Sequence, residues 1–459
     1  MVFSSTIFLF VFLPTVLVLY YNPFFRGRSF RNILLLMASL VFYAWGEPVF
    51  VFLMIFSVFV TWLLGEGMQK RHARLWLAVG VVYHVTLLFL FKYLSFFAAQ
   101  AGALLNLDFF EIELPLPIGI SFYTFQLMSY LFDVYRQRAQ VQKNPFYLGL
   151  YTACFPQLIA GPIVRYEKIA ASITDRSETF DDVVTGMKRF IYGLGKKVLL
   201  SNYVAQIADS MFVRAGSLPA VMAWLGAISY TFQIYFDFSG YSDMAIGLGR
   251  MFGFHFDENF DYPYLSKSVT EFWRRWHISL GTWFRDYVYI PLGGNRVKRA
   301  RHIFNLLFVW LLTGLWHGAN WTFLAWGLMY FAFLLLEKGT GLAEKPRIFS
   351  RVYTMLVVIF AWVIFRSDSI HDAALFIGNM FGAFSGRLID PTFFTIVRAT
   401  GLVLAACAVG CVPFLKHIFA WLAERRLAWV ESVWILAVFL LSVLQVINAS
   451  YQPFIYFNF

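Results

Sequence analysis

Charged residues and cysteines are scarce in this sequence, and no long polar stretch interrupts it. Only 14% of the 459 residues are charged, whereas 60% are hydrophobic and 20% are aromatic. A chain of this composition has too few polar residues to cover the surface of a soluble globular protein, which excludes an ordinary soluble protein. Apolar segments recur from Val2 to Ile447. The sequence therefore predicts a multi-spanning membrane protein with a single domain over residues 1–459.

The few cysteines argue against two further kinds of site. Cys154, Cys407 and Cys411 all lie in apolar surroundings, which indicates neither a disulfide framework nor a thiolate metal site. Cys407, Cys411 and the nearby His417 lack a fourth ligand, so we predict helix packing there and no bound metal. The net charge of +11 comes from basic residues scattered among short connections. Membrane topology explains this pattern better than nucleic acid binding does.

Basic connections predict a path through the membrane. The first apolar run, residues 1–21, has no basic residue ahead of it and no small-residue cleavage site, so it predicts a retained helix rather than a secretory signal. Assigning the basic connections to the cytoplasm puts both termini, including the aromatic tail 448–459, on the extracytoplasmic side. Two prolines and a glycine in residues 114–121 predict a bent or re-entrant segment.

His317 is the residue that points most directly to chemistry. It lies between two apolar stretches, Ile303–Leu315 and Trp321–Leu336, of about 13 and 16 residues, each shorter than the ~20 residues that span a bilayer. Basic clusters flank both stretches, so the turn with His317 is expected within the membrane. An ionisable group there is costly unless it has a function, and a neutral imidazole suits a general base. The alternative is a histidine that ties two helices together by a hydrogen bond.

A second histidine, His277, lies in residues 270–287, which we predict to form one amphipathic helix. The polar face of this helix carries Arg274 and Arg275 beside His277. Two interpretations stay open. The segment is an interfacial helix whose cations lie among lipid headgroups, or its arginines hold an anionic group, such as a cofactor phosphate, near His277.

Two aspartates, Asp237 and Asp243, stand with Ser239 between apolar flanks. Gly240 and the neighbouring serines predict an interruption between helices at 219–237 and 242–254. Carboxylates in such surroundings are costly unless each is paired with a cation or faces a polar cavity. We favour structural pairing over direct chemistry for each aspartate.

Several common catalytic motifs are missing. The sequence contains no Gly-x-Ser-x-Gly nucleophile elbow, no His-Glu-x-x-His zinc motif and no phosphate-binding loop that ends in Lys-Ser/Thr. Direct group transfer assisted by a histidine is therefore the simplest mechanism, because it requires no catalytic motif that the sequence lacks.

Four motifs carry a resemblance to a known family: Phe232–Gly249, Glu271–Leu280, Tyr289–Arg296 and Gly314–Asn320. They resemble membrane-bound O-acyltransferases, and within these the bacterial alginate O-acetyltransferase branch, which also supplies peptidoglycan O-acetylation systems. The resemblance extends over nearly the whole chain. It implies an all-α, polytopic fold in which a ring of tilted transmembrane helices with re-entrant segments surrounds a central tunnel, with roughly 11–13 membrane segments.

The resemblance also implies roles for individual residues. His317 matches the catalytic histidine of the family, and His277 matches a second active-site residue. We expect substrate or donor binding from residues near them: Arg274, Arg275, Asp237, Ser239, Asp243, Trp316 and Asn320. The implied donor is cytoplasmic acetyl-CoA, which acts as a substrate, so neither a permanently bound cofactor nor a metal is expected.

The last residues, Pro453–Phe459, resemble a terminal aromatic motif of this branch. We hypothesise that the hydroxyl of Tyr456 accepts the acetyl group under His317 catalysis. The alternative is an aromatic anchor at the membrane interface. Related systems imply a partner, an extracytoplasmic SGNH-type O-acetyltransferase or acetyl-acceptor protein, that acetylates an exported polysaccharide. They also imply the bacterial cytoplasmic (inner) membrane as the location.

Two other classes of function stay open. Broken helices with buried charges also mark transporters, so the chain could move an acetyl donor or a glycan without bond chemistry. A scaffold with an inactive site that recruits a transferase is the third class. The intact motifs around His317 and His277 favour an enzyme, and they leave alginate, peptidoglycan, cellulose and other exported glycans open as the acceptor polymer.

Overall fold

A computed structural model of the protein describes residues 1–70, 72–106, 114–341 and 349–448. These residues form helices joined by turns and loops, and none of them lies in a β-strand. The predicted all-α class is therefore confirmed. The described residues group into two compact units, of which the first comprises Met1–Phe190 and Tyr241–Asp257 and the second Ile191–Gly240 and the residues from Glu258 onward. The single domain over residues 1–459 stays a prediction.

The helices of the two units follow in chain order. The first unit contains a π-helix at Phe8–Phe12, α1 (Leu13–Tyr20), α2 (Arg28–Ala44), α3 (Phe50–Met68), α4 (Ala73–Leu88), a π-helix at Phe89–Tyr93, α5 (Leu94–Leu105), α6 (Ile120–Tyr135), α7 (Pro145–Ala153) and α8 (Tyr166–Thr174). Residues of both units belong to α9 (Phe180–Gly195) and, later in the chain, to α11 (Ala220–Met251). The second unit contains a π-helix at Lys196–Ser201, α10 (Asn202–Phe212), a 3₁₀ turn at Pro263–Leu265, α12 (Val269–Arg275), α13 (Ile278–Phe284), a π-helix at Arg285–Tyr289, α14 (Arg299–His317), α15 (Trp321–Thr340), α16 (Ser350–Arg366), α17 (Ile370–Met380), α18 (Pro391–Gly410), α19 (Phe414–Glu424) and α20 (Trp429–Asn448).

A partly buried ionic cluster ties the first unit together. The Glu178 carboxylate pairs with Arg28 and with Arg31, the latter at 2.8 Å. Arg176 donates at 3.0 Å to the hydroxyl of Tyr20, which itself donates to Glu178. Buried charges need such partners, because a lone charge removed from water would be strongly unfavourable.

Five helical stretches of the described chain are long and apolar enough to cross a membrane: Phe50–Met68, Ala73–Leu105, Trp321–Thr340, Pro391–Gly410 and Trp429–Asn448. The shortest has 19 residues. A helix of that length measures about 28 Å, close to the ~30 Å of a bilayer's hydrocarbon core. This is the architecture of a multi-pass membrane protein, while the count of 11–13 segments stays a prediction.

The interruption predicted near Gly240 is wrong, because α11 runs unbroken for 32 residues. Gly240 serves close packing instead. A Cβ at this position would lie 2.8 Å from the carbonyl oxygen of Gly193 and 3.1 Å from the backbone nitrogen of Lys197. In apolar surroundings a helix break leaves backbone groups without hydrogen bonds, which costs more than a glycine inside the helix.

The single amphipathic helix predicted over residues 270–287 is also wrong. The chain forms α12, breaks at Trp276 and His277, and continues as α13. His277 has a φ of +45°, the left-handed conformation that costs a non-glycine residue about 1–2 kcal/mol. As a result the predicted polar face does not exist as one surface, since His277 is buried and Arg274 is exposed.

Helices α14 and α15 form a close antiparallel pair that carries His317 at its turn. A Cβ at Gly314 would lie 2.5 Å from the carbonyl oxygen of Phe323, and one at Gly327 would lie 2.5 Å from that of Trp310. Glycines thus let the two backbones touch, as in many membrane helix pairs. The predicted short arms are wrong, because the helices have 19 and 20 residues and extend through polar end turns. Arm length therefore does not locate His317 within the membrane.

We predict that Gly327→Ala destabilises the protein by about 1–3 kcal/mol, because the added methyl group overpacks the contact between α14 and α15. Gly339→Ala is the matched control in the same helix, since a Cβ at Gly339 meets nothing within 4 Å. The control should be neutral or slightly stabilising, as alanine favours helix. Thermal unfolding of the detergent-solubilised proteins measures both effects, and equal melting temperatures for the two variants would contradict the prediction.

Candidate functional site

His317 is the last residue of α14 and is only 4% exposed. Aromatic rings surround its imidazole, with ring centroids 5.0 Å away for Trp316, 5.1 Å for Trp326 and 5.1 Å for Phe365. The next residue is Gly318, where a Cβ would lie 2.3 Å from the ring of Phe323. The turn after His317 therefore requires glycine, and the imidazole lies among aromatic rings that exclude water.

His277 lies at the break between α12 and α13 and is 1% exposed. Its Nδ1 lies 3.2 Å from the side-chain oxygen of Asn259. Its Nε2 is buried and has no hydrogen-bond partner among the described residues. Burial lowers the pKa of His277, which lies outside the five candidate spans, to about 3. The imidazole is therefore neutral at physiological pH, with one ring nitrogen engaged and the other not.

Trp316 contacts both histidines. Its ring centroid lies 5.9 Å from that of His277 and 5.0 Å from that of His317. The structure thus brings His277 together with the neighbouring residues Trp316 and His317, which follow it in the sequence by 39 and 40 positions. Two buried imidazoles on one indole ring form a site in which protons can be accepted and returned without bulk water.

An aromatic cluster extends the wall of this site. Trp326 contacts His317 and also Tyr330, at 5.2 Å between ring centroids. Trp273 of α12 lies 5.5 Å from Trp326 and 4.9 Å from Tyr330. Large flat rings in edge-to-face contact pack rigidly. The imidazole of His317 is therefore packed against a rigid aromatic wall.

Glu337 positions α12, and the sequence analysis missed this role. The Glu337 carboxylate is 0% exposed and accepts hydrogen bonds from the backbone N–H groups of Val269 and Thr270 and from the Thr270 hydroxyl, at 2.6–2.9 Å. These groups lie at the positive amino end of the helix, where a carboxylate is favourable. In the sequence Glu337 follows an apolar run and opens the basic connection after it, beside Lys338. Its position three residues before Thr340, the last residue of α15, gives no separate sequence signal.

The two predicted aspartates are both paired with cations. Asp237 forms a buried ion pair with Lys197 in the second unit. Asp243 pairs with Arg189 at 2.6 Å in the first unit. The predicted structural pairing is therefore confirmed. Ser239 is buried, and its hydroxyl has no hydrogen-bond partner in the described chain, so binding by these three residues stays a prediction.

The two arginines that are predicted to bind the donor differ in their ion pairs and in their exposure. Arg275 pairs with Glu271 at 3.0 Å and with Asp261 at 3.2 Å. Arg274 is exposed. An arginine that already has two carboxylate partners offers less charge to a phosphate.

Asn320 lies after the turn that carries His317. Its side-chain oxygen caps α15 by accepting from the Thr322 N–H, and its amide nitrogen donates to the carbonyl oxygen of Asp368 at 3.0 Å. These bonds give Asn320 a structural role in shaping the turn. Tyr456 lies outside the described residues. Within the described chain, no group of three or more histidine, cysteine or acidic side chains is arranged to hold a metal ion.

Comparisons with known proteins agree with these observations. The model of the family MBOAT, membrane-bound O-acyltransferase, matches residues 37–370. The chain is 40% identical to a probable alginate O-acetylase of Pseudomonas putida, with 100% of both chains covered. It is 45% identical to the protein of the same name in Pseudomonas aeruginosa, over 81% of this chain and 73% of that one.

A further relative is the peptidoglycan O-acetyltransferase of Helicobacter pylori, which is 32% identical over 100% of this chain and 98% of its own. The family match and these full-length similarities agree with the all-helical architecture. The chain therefore belongs to the membrane-bound O-acyltransferase family and is a multi-pass membrane acyltransferase.

Proposed function

We propose that the protein is an O-acetyltransferase that moves an acetyl group from cytoplasmic acetyl-CoA for O-acetylation of an exported or cell-wall polysaccharide. The observation that carries this proposal is the pair of buried histidines, His277 and His317, in contact with Trp316. The names of the relatives, a probable alginate O-acetylase and a peptidoglycan O-acetyltransferase, support acetyl as the group and an alginate-type or peptidoglycan-type polymer as the acceptor.

In this proposal His317 is the general base. It takes the proton of the attacking hydroxyl, and the hydroxyl oxygen bonds to the carbonyl carbon of the acetyl thioester as the carbon–sulfur bond breaks. The proton then passes from His317 to the leaving thiolate, so the products are an acetyl ester and a free thiol. The rings of Trp316, Trp326 and Phe365 around His317 support this role, because they keep water from competing as the nucleophile.

Acetyl-CoA is a substrate in this scheme and not a permanently bound cofactor. Of the two arginines predicted to bind its phosphates, Arg274 is the better candidate, because Arg275 is paired with Glu271 and Asp261. The basic clusters that predict the cytoplasmic face of the chain also favour approach of this anionic donor.

For the acceptor side, we propose that the Tyr456 hydroxyl is the first nucleophile and passes the acetyl group to an extracytoplasmic SGNH-type O-acetyltransferase or acetyl-acceptor protein. That partner then acetylates the polysaccharide. The scheme requires a carboxyl-terminal tail outside the bacterial inner membrane, and the distribution of basic connections supports this orientation.

His317→Ala should lower acetyl transfer by about 10²–10⁴-fold, because the proton of the attacking hydroxyl loses its acceptor. The measurement is the acetyl ester content of the polymer in cells that make the variant, with the amount of inserted protein checked on immunoblots. His417→Ala is the control, since His417 is an exposed histidine on α19. Full acetylation by a normally inserted His317→Ala protein would instead favour a transporter or scaffold.

Tyr456→Phe should abolish acetylation of the polysaccharide, because it removes the one oxygen that the proposed relay uses. Mass spectrometry of the polymer gives the ester content, and peptide mapping of the wild-type tail should find an acetyl group on Tyr456. Tyr451→Phe in the same tail is the matched control. Undiminished polymer acetylation by Tyr456→Phe would leave the tail as an aromatic anchor and refute the relay, while the proposal for His317 would stand.

A further inference from the structure

Asn259 accepts several hydrogen bonds around the break that carries His277. It lies in the loop before α12 and is 0% exposed. Its backbone oxygen accepts from the Ile278 N–H at 3.0 Å. Its side-chain oxygen accepts from the Ser279 N–H at 3.2 Å and from the Ser279 hydroxyl at 2.8 Å. The Nδ1 of His277 lies 3.2 Å from the same oxygen.

These contacts determine the orientation of the Asn259 amide. The backbone N–H of Ser279 can only donate, so the side-chain atom that faces it must be the oxygen and not the nitrogen. An amide oxygen can only accept. The Ser279 hydroxyl also lies 3.4 Å from the Nδ1 of His277, but its single proton goes to the closer Asn259 oxygen at 2.8 Å. The Nδ1 of His277 therefore carries the proton that it shares with Asn259.

A neutral imidazole with a proton on Nδ1 has a lone pair on Nε2. This Nε2 is buried, and no described residue donates a hydrogen bond to it. The ring of His277 is held on its sides by Phe238, at 4.6 Å between centroids, and by Trp316. A buried hydrogen-bond acceptor without a donor destabilises a folded protein. This points to a hydrogen-bond donor for Nε2 that arrives with the substrate.

We propose that Asn259 is a positioning residue that holds His277 as the tautomer protonated on Nδ1, so that Nε2 is presented to the substrate as a hydrogen-bond acceptor. The ligand chemistry is an uncharged O–H or N–H group of the bound donor or acceptor molecule. The identity of that molecule rests on the proposed acetyl transfer, whereas the tautomer does not.

The tautomer restricts what His277 can do during transfer. A bare Nε2 cannot donate a hydrogen bond to the oxyanion that develops on the thioester carbonyl. It can hold a hydroxyl or an amide of the substrate in place while His317 moves the transferred proton. The two histidines, which both contact Trp316, would then have different tasks: His277 positions the substrate and His317 transfers the proton.

A neutral amide at position 259 suits this task better than a carboxylate would. Aspartate would also accept from Nδ1–H, but its charge would stabilise the imidazolium form and place a proton on Nε2. Two charged side chains of the same unit already have partners of opposite charge, since Arg275 pairs with Glu271 and Asp237 pairs with Lys197. His317, which is also titratable, packs on Trp316 as well.

A direct test uses nuclear magnetic resonance of protein labelled with ¹⁵N histidine, which separates protonated from bare ring nitrogens. The chain has only 8 histidines, and the spectrum of His277→Gln assigns the His277 signals. We expect Nδ1 protonated and Nε2 bare in the wild type, and a mixture of tautomers in Asn259→Ala. A wild-type signal from protonated Nε2, or an unchanged His277 tautomer in Asn259→Ala, would overturn the proposal.

A second test uses the pH profile of acetyl transfer from acetyl-CoA by the purified protein. Wild-type His277 stays neutral between pH 5 and 8, because its pKa lies at about 3, so it adds no acid limb. In Asn259→Asp the added carboxylate should raise the pKa of His277, so that activity falls on the acidic side of the pH profile. Activity near that of the wild type at pH 8 should fall by about tenfold per pH unit below the new pKa. Asn259→Ala should lose at least about tenfold in kcat at every pH.

Asn379→Ala is the matched control, because Asn379 is equally buried in the same unit and its amide is hydrogen-bonded too. The Asn379 amide donates to the carbonyl oxygen of Ala215 and accepts from the Ser385 N–H. It should lower stability without changing the pH profile. If Asn259→Asp gave the wild-type profile, or if Asn259→Ala resembled Asn379→Ala, the positioning role would be refuted. If His317→Ala kept its activity, the proposed transfer chemistry would fail while the tautomer measurement would still decide the role of Asn259.

Discussion

The break between α12 and α13 is the constraint on which the site depends. Asn259 holds it through the backbone of Ile278 and through its side-chain oxygen, and Glu337 holds the start of α12 through Val269 and Thr270. A histidine in the left-handed conformation persists only when its surroundings determine it. Because both anchors are buried, the two short helices cannot straighten into one, and His277 remains beside Trp316.

Close backbone packing supplies the other half of the site. Gly314 and Gly327 bring α14 and α15 together, and Gly318 allows the turn that follows His317. The imidazole of His317 is then enclosed by the rings of Trp326 and Phe365. Rigid aromatic walls hold an active-site group in one geometry, so little reorganisation is needed when a substrate binds. The break between α12 and α13 and the helical hairpin of α14 and α15 thus meet at the indole ring of Trp316.

The errors in the sequence analysis share one physical origin, which is that local patterns do not report distant partners. Gly240 was expected to break a helix, whereas it lets the backbone of Gly193 approach α11. The helical periodicity of residues 270–287 continues through His277, yet Asn259 breaks the helix from 18 positions away in the chain. Neither Asn259 nor Glu337 has a local signal, because one lies in a polar loop and the other ends an apolar run.

Composition and motifs by themselves determined the membrane class, the all-helical fold and the family, since apolar content and long runs follow directly from the burial preference of each residue. They also selected His317 and His277 as the candidate catalytic residues. Only the tertiary structure decided how these two residues meet on Trp316, which tautomer Asn259 imposes on His277 and which aspartates are paired with cations. Hydrogen bonds and ring contacts between distant segments carry that information, because their geometry exists only once the chain has folded.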